Sequence, residues 1–261
     1  MWECHNPGVG RSDDQLLASQ IAYYRAHAPR YDDWWFRRRN YDLGEEIRAR
    51  WQAEITSVRS VLADFAPLGT VLEFAGGTGN WTAELVPLAD SVTVVDASPE
   101  AVAIAREKIG GNVEWVLADI FSYEPARQYD TVFFGFWLSH VPLERFDAFW
   151  SLVADCLTAD GRVFFLDNAH PSLGRRVAPE LFTWPEEPAS STLVAGIQSV
   201  TDLETGVSTR RTADGEMYDV VKIWWEPDQL QARLQELGWQ ATVTTTEWAF
   251  LYGDAARERR S

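Results

Sequence analysis

The sequence predicts an α/β protein whose core is a mostly parallel sheet with helices on both faces. Between residues 70 and 166, short apolar runs alternate with segments of helical periodicity. The runs are apolar almost throughout, which is typical of parallel strands buried on both faces. With 261 residues, 46% of them hydrophobic, the chain is long enough to bury a substantial core.

Two helices are predicted before the first strand. Ser12 and Gln15 fit a capping box for a helix that runs to Ala28, and Pro29 is expected to end it. A second helix is expected over about residues 45–65, where apolar residues recur with helical spacing. The chain therefore begins with a helical region before the strand–helix alternation.

Five strands are predicted next, at Thr70–Phe74, Val92–Asp96, Val113–Leu117, Asp130–Phe134 and Arg162–Leu166. Helices are expected over Asn80–Leu88, after the Ser98-Pro99 cap, and after Pro142. Open α/β sheets bind ligands at the carboxyl ends of their strands. The residues that follow each strand are therefore the candidates for a binding site.

The alternation stops between Pro171 and Trp225. A proline-containing loop is expected first, and then three strands over residues 196–204, 207–212 and 217–225. Glycine turns separate these strands, which predicts a small antiparallel meander inserted into the main domain. A helix from Pro227 and two closing strands, over about 240–248 and 249–253, complete the chain.

A glycine turn and three acids predict the ligand. Gly76-Gly77-Thr78-Gly79 follows the first strand, where its N–H groups can face a ligand. Asp96 ends the second strand and can accept both hydroxyls of a ribose, and Asp119 follows the third and can accept from the amine of adenine. Glu73 would repel a pyrophosphate and suits a cationic group. The pattern predicts an adenosine with a positively charged end.

The segment Glu73-Phe74-Ala75-Gly76-Gly77-Thr78-Gly79 resembles the Glu-x-Gly-x-Gly-x-Gly turn of class I S-adenosylmethionine-dependent methyltransferases, with Ala75 replacing the first glycine. The resemblance covers about residues 70–253. It implies a Rossmann-like sheet of seven strands, the last one antiparallel, and S-adenosyl-L-methionine as cofactor. The cofactor-binding residues that it implies are Tyr31, Glu73, Ala75, Gly77, Gly79, Asp96, Ala97, Asp119, Ile120 and Phe136.

Residues 23–32 look like the lid helix of small-molecule members such as quinone and trans-aconitate methyltransferases, in which Tyr31 lies over the cofactor. We therefore divide the chain into a helical lid (1–66), a cofactor-binding core (67–170 and 226–261), and an inserted loop with its meander (171–225). The meander offers an edge at which two copies could pair as a homodimer.

Methyl transfer is an in-line displacement, so the protein mainly positions the reactants and excludes water. A base is needed only for a protonated nucleophile. His140 and His170 follow the fourth and fifth strands and are the predicted catalytic residues, together with Tyr31. The predicted substrate contacts are Tyr23, Trp34, Trp35, Trp137, His140 and His170, and Phe136 and Trp184 extend this aromatic rim.

The sequence thus predicts methylation of a small organic molecule, preferably on oxygen, with nitrogen and carbon left open. An NAD(P)-dependent oxidoreductase would share the glycine turn but needs a third glycine where Thr82 stands. A protein that binds the cofactor without catalysis also fits. A clamp for an anionic substrate is one interpretation of Arg37-Arg38-Arg39, and a solvated face is the other.

Composition excludes several classes of function. The net charge of −16 argues against binding to nucleic acid or to an anionic membrane surface. No set of His, Cys, Asp and Glu residues has metal-ligand spacing. Cys4 and Cys156 do not form a disulfide framework, and no secretory signal or membrane span is recognisable, so a reducing cytoplasm is expected.

Overall fold

The structure is a computed structural model that describes residues 12–66, 68–110, 112–173, 192–194, 197–202 and 205–258. Cys4 and Trp184 lie outside the described residues. Cys156 is a free, buried thiol, as expected of a small apolar residue. None of the helices in the described ranges combines the length and apolar character needed to cross a bilayer.

Helix α1 (Asp13–Trp35) and helix α2 (Glu45–Phe65) form the N-terminal region. The capping box at Ser12 is present, but the prediction that Pro29 ends the helix is wrong, because α1 continues to Trp35. Trp34 and Trp35 are buried and pack on Trp51 of α2. Burial of these indoles stabilises the last turns of α1 and outweighs the hydrogen bond lost at the proline.

Strands β1 (Thr70–Phe74), β2 (Ser91–Asp96), β3 (Val113–Leu117), β4 (Tyr129–Gly135) and β5 (Leu157–Asn168) follow. Between them lie α3 (Thr82–Leu85), α4 (Pro99–Lys108) and α5 (Phe146–Cys156). Helix α3 is shorter than predicted, because Pro87 cannot continue the α-helical hydrogen bonds and Val86–Leu88 form a 3₁₀ turn. Strand β5 is longer than predicted and reaches Asn168.

The described part of the inserted meander has four strands, one more than predicted: β6 (Thr192–Val194), β7 (Ile197–Asp202), β8 (Val207–Arg211) and β9 (Met217–Val221). They pair antiparallel in chain order. Strand β9 lies against α1, where the backbone N–H groups of Asp219 and Val221 donate to Ser19 and Gln20, each at 3.0 Å. The meander therefore packs on the N-terminal helix of its own chain.

Helix α6 (Pro227–Glu236) and strands β10 (Trp239–Thr245) and β11 (Phe250–Arg257) complete the core. The main sheet has the order β10-β11-β5-β4-β1-β2-β3. Strand β11 is antiparallel to β5, which confirms the seven-stranded sheet with an antiparallel last strand. Strand order reverses at β1, which lies between β2 and β4, so the predicted ligand site is at the carboxyl ends of these strands.

Each face of the sheet carries its own apolar layer. Phe134 on one face packs with Phe149 and Trp150 of α5, whereas Phe133 on the other face packs with Trp81 and Phe164. Neighbouring residues of one strand thus serve opposite layers, which explains why the strands are apolar without alternation.

Candidate active site

A large cavity lies over the carboxyl ends of the central strands, and α1 and the meander cover it. Its walls combine the glycine turn, the ends of β2 and β3, the segments after β4 and β5, and residues of α1, β8 and the β10–β11 turn. The site residues predicted from sequence that line it are Tyr23, Tyr31, Trp34, Ala75, Gly77, Asp96, Ala97, Asp119, Ile120, Phe136, Trp137, His140 and His170. The fold therefore brings together segments far apart in sequence.

The glycine turn presents backbone to the cavity. Ala75 and Gly77 have φ angles of 55° and 56°, in the left-handed region. A Cβ atom built on Gly77 would meet nothing closer than the carbonyl oxygen of Ala75 at 4.0 Å, so a ligand can approach the chain closely there. Ala75 adopts the left-handed conformation despite its methyl group, at a cost of about 1–2 kcal/mol. The site thus retains the required backbone path without the first glycine.

Gly79 is closely packed as well as predicted to bind the cofactor. Its φ is 82°, in the left-handed region. A Cβ atom there would lie 2.6 Å from Ile109 Cδ1 and 3.0 Å from Ala105 Cβ. Gly79 therefore permits close packing of the turn against α4 and its C-terminal cap, and its contact with the cofactor stays a prediction.

The acids at the ends of β2 and β3 lie at the same end of the cavity, as predicted. Asp96 accepts hydrogen bonds from the backbone N–H groups of Gly77 and Ser98, both at 2.8 Å. Burial raises the pKa of Asp96, and these N–H groups oppose the rise. Asp119 accepts from Phe121 N at 3.1 Å. The two carboxylates are held by their own backbone and have acceptor capacity left for a ligand.

Glu73 is enclosed behind the glycine turn. Only 2% of its surface is exposed, and it lines a smaller pocket with residues of the turn instead of the large cavity. The hydroxyl of Thr82 donates to its carboxyl at 2.6 Å. Burial raises the pKa of Glu73 to about 8, and the nearby Asp96 adds to the rise. The carboxyl is therefore mostly protonated at neutral pH, unlike the charged group that the sequence predicts.

Helix α1 is tied to the glycine turn by Asp32. Its carboxylate accepts from the Thr78 hydroxyl at 2.7 Å and from Asn80 Nδ2 at 3.1 Å, and it forms an ion pair with Lys108. Burial alone would raise the pKa of Asp32, but these donors lower it. Tyr31 is thereby held over the cavity, and burial raises the pKa of its hydroxyl. Sequence analysis did not identify the Asp32 contacts.

His140 is fully engaged in hydrogen bonds. Its Nδ1 lies 2.5 Å from the carbonyl oxygen of Val221, so Nδ1 carries the proton, and its Nε2 accepts from the Tyr24 hydroxyl at 2.7 Å. Burial lowers the pKa of His140 well below its ordinary value, and Lys222 and Arg210 lower it further. The imidazole is therefore neutral, and its lone pair is directed to Tyr24 rather than to a substrate.

His170 lines the cavity from the segment that follows β5. Its Nδ1 lies 2.8 Å from the Ser172 hydroxyl and 3.4 Å from a carboxylate oxygen of Glu226. Its ring is partly exposed, in contrast to that of His140. The two predicted bases thus share one cavity, but each is hydrogen-bonded on at least one ring nitrogen.

Two cations that sequence reasoning missed line the cavity from the meander and its exit. Lys222 Nζ donates to Ser139 at 2.8 Å and to Asn168 at 3.1 Å, and lies 3.4 Å from Asp167. Burial lowers the pKa of Lys222 to about 8, although Asp167 opposes this. Arg210 donates to the Tyr24 hydroxyl at 3.1 Å. Ser208 and Arg210 alternate along β8, and this period of two was the available signal.

The tryptophans of the predicted aromatic rim lie in three different places. Trp34 lines the cavity and packs edge-to-face on Phe136 at 5.6 Å. Trp35 lies behind it, and its carbonyl oxygen accepts from the indole of Trp51 at 2.9 Å. Trp137 packs on Phe121, beside the acids of β2 and β3. Trp34 therefore remains a candidate substrate contact, Trp35 has a structural position, and Trp137 lies toward the ends of β2 and β3.

Within the described residues, no group of three or more His, Cys, Asp or Glu side chains is arranged to hold a metal ion. The polar groups that line the cavity are backbone N–H groups, carboxylates and buried cations. These groups suit a nucleoside with a charged amino-acid tail better than a phosphate-rich ligand, since two carboxylates face the end nearest β2 and β3.

Comparison with known proteins identifies similar chains. Residues 71–161 match a family model described as a methyltransferase domain. The structure of DhpI bound to S-adenosylhomocysteine aligns with a TM-score of 0.70 and 32% identity, over 95% of this chain and 100% of that one. DhpI has also been solved with S-adenosylmethionine and a ligand abbreviated HEP, and the alignment has the same score and identity.

More distant matches carry less information. An uncharacterized methyltransferase of Bacillus mycoides is 26% identical over 140 residues, which are 53% of this chain and 65% of that protein. The match thus spans about two thirds of this curated relative. A Burkholderia thailandensis 1,6-didemethyltoxoflavin-N1-methyltransferase aligns with a TM-score of 0.58 over 97% of this chain and 94% of its own, but at 14% identity it supports the fold alone.

Proposed function

This chain belongs to the class I S-adenosylmethionine-dependent methyltransferases, and from that premise we propose that it transfers the methyl group of the cofactor to an oxygen atom of a small organic molecule. The position of α1 over the cavity supports a small-molecule acceptor, as in the quinone and trans-aconitate methyltransferases that residues 23–32 resemble. The proposal also assigns catalysis, and not binding alone, to this site.

The observation that carries the proposal is a single cavity with two chemically different ends. One end has the open backbone at Gly77 and the carboxylates of Asp96 and Asp119, and this donor and acceptor set fits the cofactor. When bound, S-adenosylmethionine supplies a methyl group on a sulfonium. Asp96 would hold the ribose, and Asp119 with the Ile120 backbone would hold the adenine. The other end, under α1 and the meander, is left for the acceptor.

Hydrogen bonding around the predicted bases supports oxygen as the acceptor atom. The Nε2 lone pair of His140 already accepts from Tyr24, so His140 positions that tyrosine and is poorly placed to take a proton from a substrate. An oxygen that is already ionised, as in a carboxylic or phosphonic acid, needs no base. A phenol must lose its proton, and Lys222 is the candidate base. Burial lowers the pKa of Lys222 to about 8, so near pH 8 part of the lysine is neutral and can accept the proton.

The direct test is to incubate the full chain with S-adenosylmethionine and a panel of carboxylic acids, phosphonic acids, phenols and primary amines. Mass spectrometry of the products and release of S-adenosylhomocysteine are the readouts. We expect methyl esters or ethers. Methylation confined to amines would overturn the choice of oxygen. Cofactor binding without turnover on any acceptor would favour a non-catalytic binding protein.

A further inference from the structure

We propose that the substrate carries an acidic group, a carboxylate or a phosphorus oxyanion, that binds the guanidinium of Arg37. The inference rests on the proposed function and names the class of its substrate. It concerns the end of the cavity that lies away from Asp96 and Asp119.

Arg37 is a buried cation with an unusual backbone conformation. It follows the last residues of α1 with a φ of 51°, and only 6% of its surface is exposed. Its guanidinium carbon lies 3.7 Å from the ring centroid of Trp51 and 5.2 Å from that of Trp34. Contact with the faces of the indoles stabilises a desolvated cation. Removal of an ion from water costs more than these rings return, so they offset only part of the cost.

No acid compensates the charge of Arg37 in the part of the chain that the structure describes. Its Nη1 has no hydrogen-bond partner there, and no described carboxylate forms an ion pair with it. Two residues further along, Arg39 pairs with Asp33 at 3.5 Å, and on α1 Arg25 pairs with Glu100 at 2.8 Å. Arg37 is therefore a cation placed where a negative charge would stabilise it.

The buried acid of the neighbouring helix binds elsewhere. Glu54 of α2 accepts at its Oε2 from the backbone N–H groups of Trp248 at 3.2 Å and Ala249 at 2.8 Å, and from the hydroxyl of Thr246. These bonds fix the β10–β11 turn against α2. Among the described residues, Glu54 therefore holds the turn and forms no ion pair with Arg37.

Arg37 lines the cavity, so a small molecule can reach it. Around it the wall is formed by Trp34, Trp51, Trp248 and Ala249. An apolar wall with one fixed cation suits an organic acid, because the planar fork of a guanidinium matches the oxygens of a carboxylate or phosphonate. The residues of the β10–β11 turn place this subsite beside β11, three strands from β1, whereas Asp96 ends β2. The anion is therefore assigned to the acceptor and not to the adenosine.

The test uses the full chain saturated with S-adenosylhomocysteine and calorimetric titration of three matched probes: 3-phenylpropanoate, 2-phenylethylphosphonate and the neutral 3-phenylpropanamide. We expect at least one acid to bind at least 10-fold more tightly than the amide. Comparison of the two acids identifies the preferred oxyanion. Equal affinity of all three probes, or no binding of either acid at millimolar concentration, would overturn the proposal.

Variants test whether Arg37 causes the preference for acids over the amide. Arg37→Gln should remove it, Arg37→Lys should retain part of it, and Arg38→Gln, at an exposed neighbour, should leave it unchanged. Affinity for S-adenosylhomocysteine should stay within 2-fold in all three, which also reports correct folding. If Arg37→Gln weakens that affinity 10-fold and the acid preference persists, Arg37 binds the cofactor's carboxylate and the proposal fails. Methyl transfer assayed separately distinguishes this failure from failure of the proposed function.

Discussion

The two ends of the cavity are built in different ways. The cofactor end comes from residues 73–120, where successive strands end beside one another and the backbone supplies the hydrogen bonds. The acceptor end joins α1, the meander and the β10–β11 turn, and its lining residues Gln20 and Ala249 are about 230 positions apart in sequence. Gln20, for example, accepts from Val221 N at 3.0 Å and donates to His140 O at 3.1 Å. One end is a local motif, and the other depends on tertiary packing.

Because the two ends are built differently, mutations at each end should change different properties of the protein. Changes at the cofactor end should affect binding of one known ligand directly. Changes at the acceptor end should act through networks in which several side chains depend on one another, since Tyr24 alone contacts His140 and Arg210.

The largest effect is expected from Asp96→Ala. Loss of two hydrogen bonds to ribose from a charged acceptor should cost about 3 kcal/mol or more, or at least about 100-fold in affinity for S-adenosylhomocysteine. Calorimetry measures this affinity, and Asp90→Ala, at the exposed other end of β2, is the matched control. Unchanged affinity in Asp96→Ala would contradict the assignment of the cofactor end.

Two glycines of one turn should separate binding from stability. Gly79→Ala forces a Cβ atom to 2.6 Å from Ile109, which should lower the free energy of unfolding by about 2–3 kcal/mol. Gly77→Ala meets no such contact, so it should cost about 1–2 kcal/mol of backbone strain and mainly weaken S-adenosylhomocysteine binding. Urea unfolding and calorimetry on both variants test this. Identical effects of the two changes would refute the separate roles.

At the acceptor end, His140→Gln should reduce kcat about 10-fold, or about 1.4 kcal/mol, with S-adenosylhomocysteine affinity within 2-fold of wild type. Tyr24→Phe breaks the same hydrogen bond, so the double variant should be no slower than either single variant. Because the lowered pKa keeps His140 neutral, the wild-type rate should show no transition near pH 6.5. Additive losses, or wild-type rates in His140→Gln, would remove the network from the mechanism.

The smallest effect concerns stability alone. The folded-state pKa of Glu73 is raised to about 8, so its contribution to stability is fully present below about pH 4.5 and is lost as pH rises toward and through 8. Glu73→Gln cannot ionise, so relative to wild type it should gain about 1 kcal/mol between pH 5 and pH 6. Urea unfolding at both pH values measures the gain. Glu107→Gln, exposed on α4, should show none, and a loss in Glu73→Gln would mean that Glu73 is charged.

The sequence was sufficient for the sheet, the N-terminal helices and the proximity of the strand-end acids, because strand periodicity and strand-end residues are local signals. It was misleading at Pro29, where buried tryptophans override a local helix stop, and it did not reveal the packing of Gly79 against α4. Arg210, Lys222 and the engaged state of His140 could not be predicted, because their partners belong to segments that only the tertiary fold brings near. Positions outside the described residues, including Trp184, stay predictions.

Two of the contacts that join α1 to the core are ionic and partly exposed. Asp32 pairs with Lys108, and Arg25 pairs with Glu100 at the start of α4, with side chains 29–49% exposed. Such pairs weaken as dissolved ions screen them over about 10 Å at 0.1 M salt. Higher ionic strength should therefore shorten the time for which the helix stays closed over the reactants. If product release limits the rate, turnover should rise with salt concentration until the reactants also begin to escape.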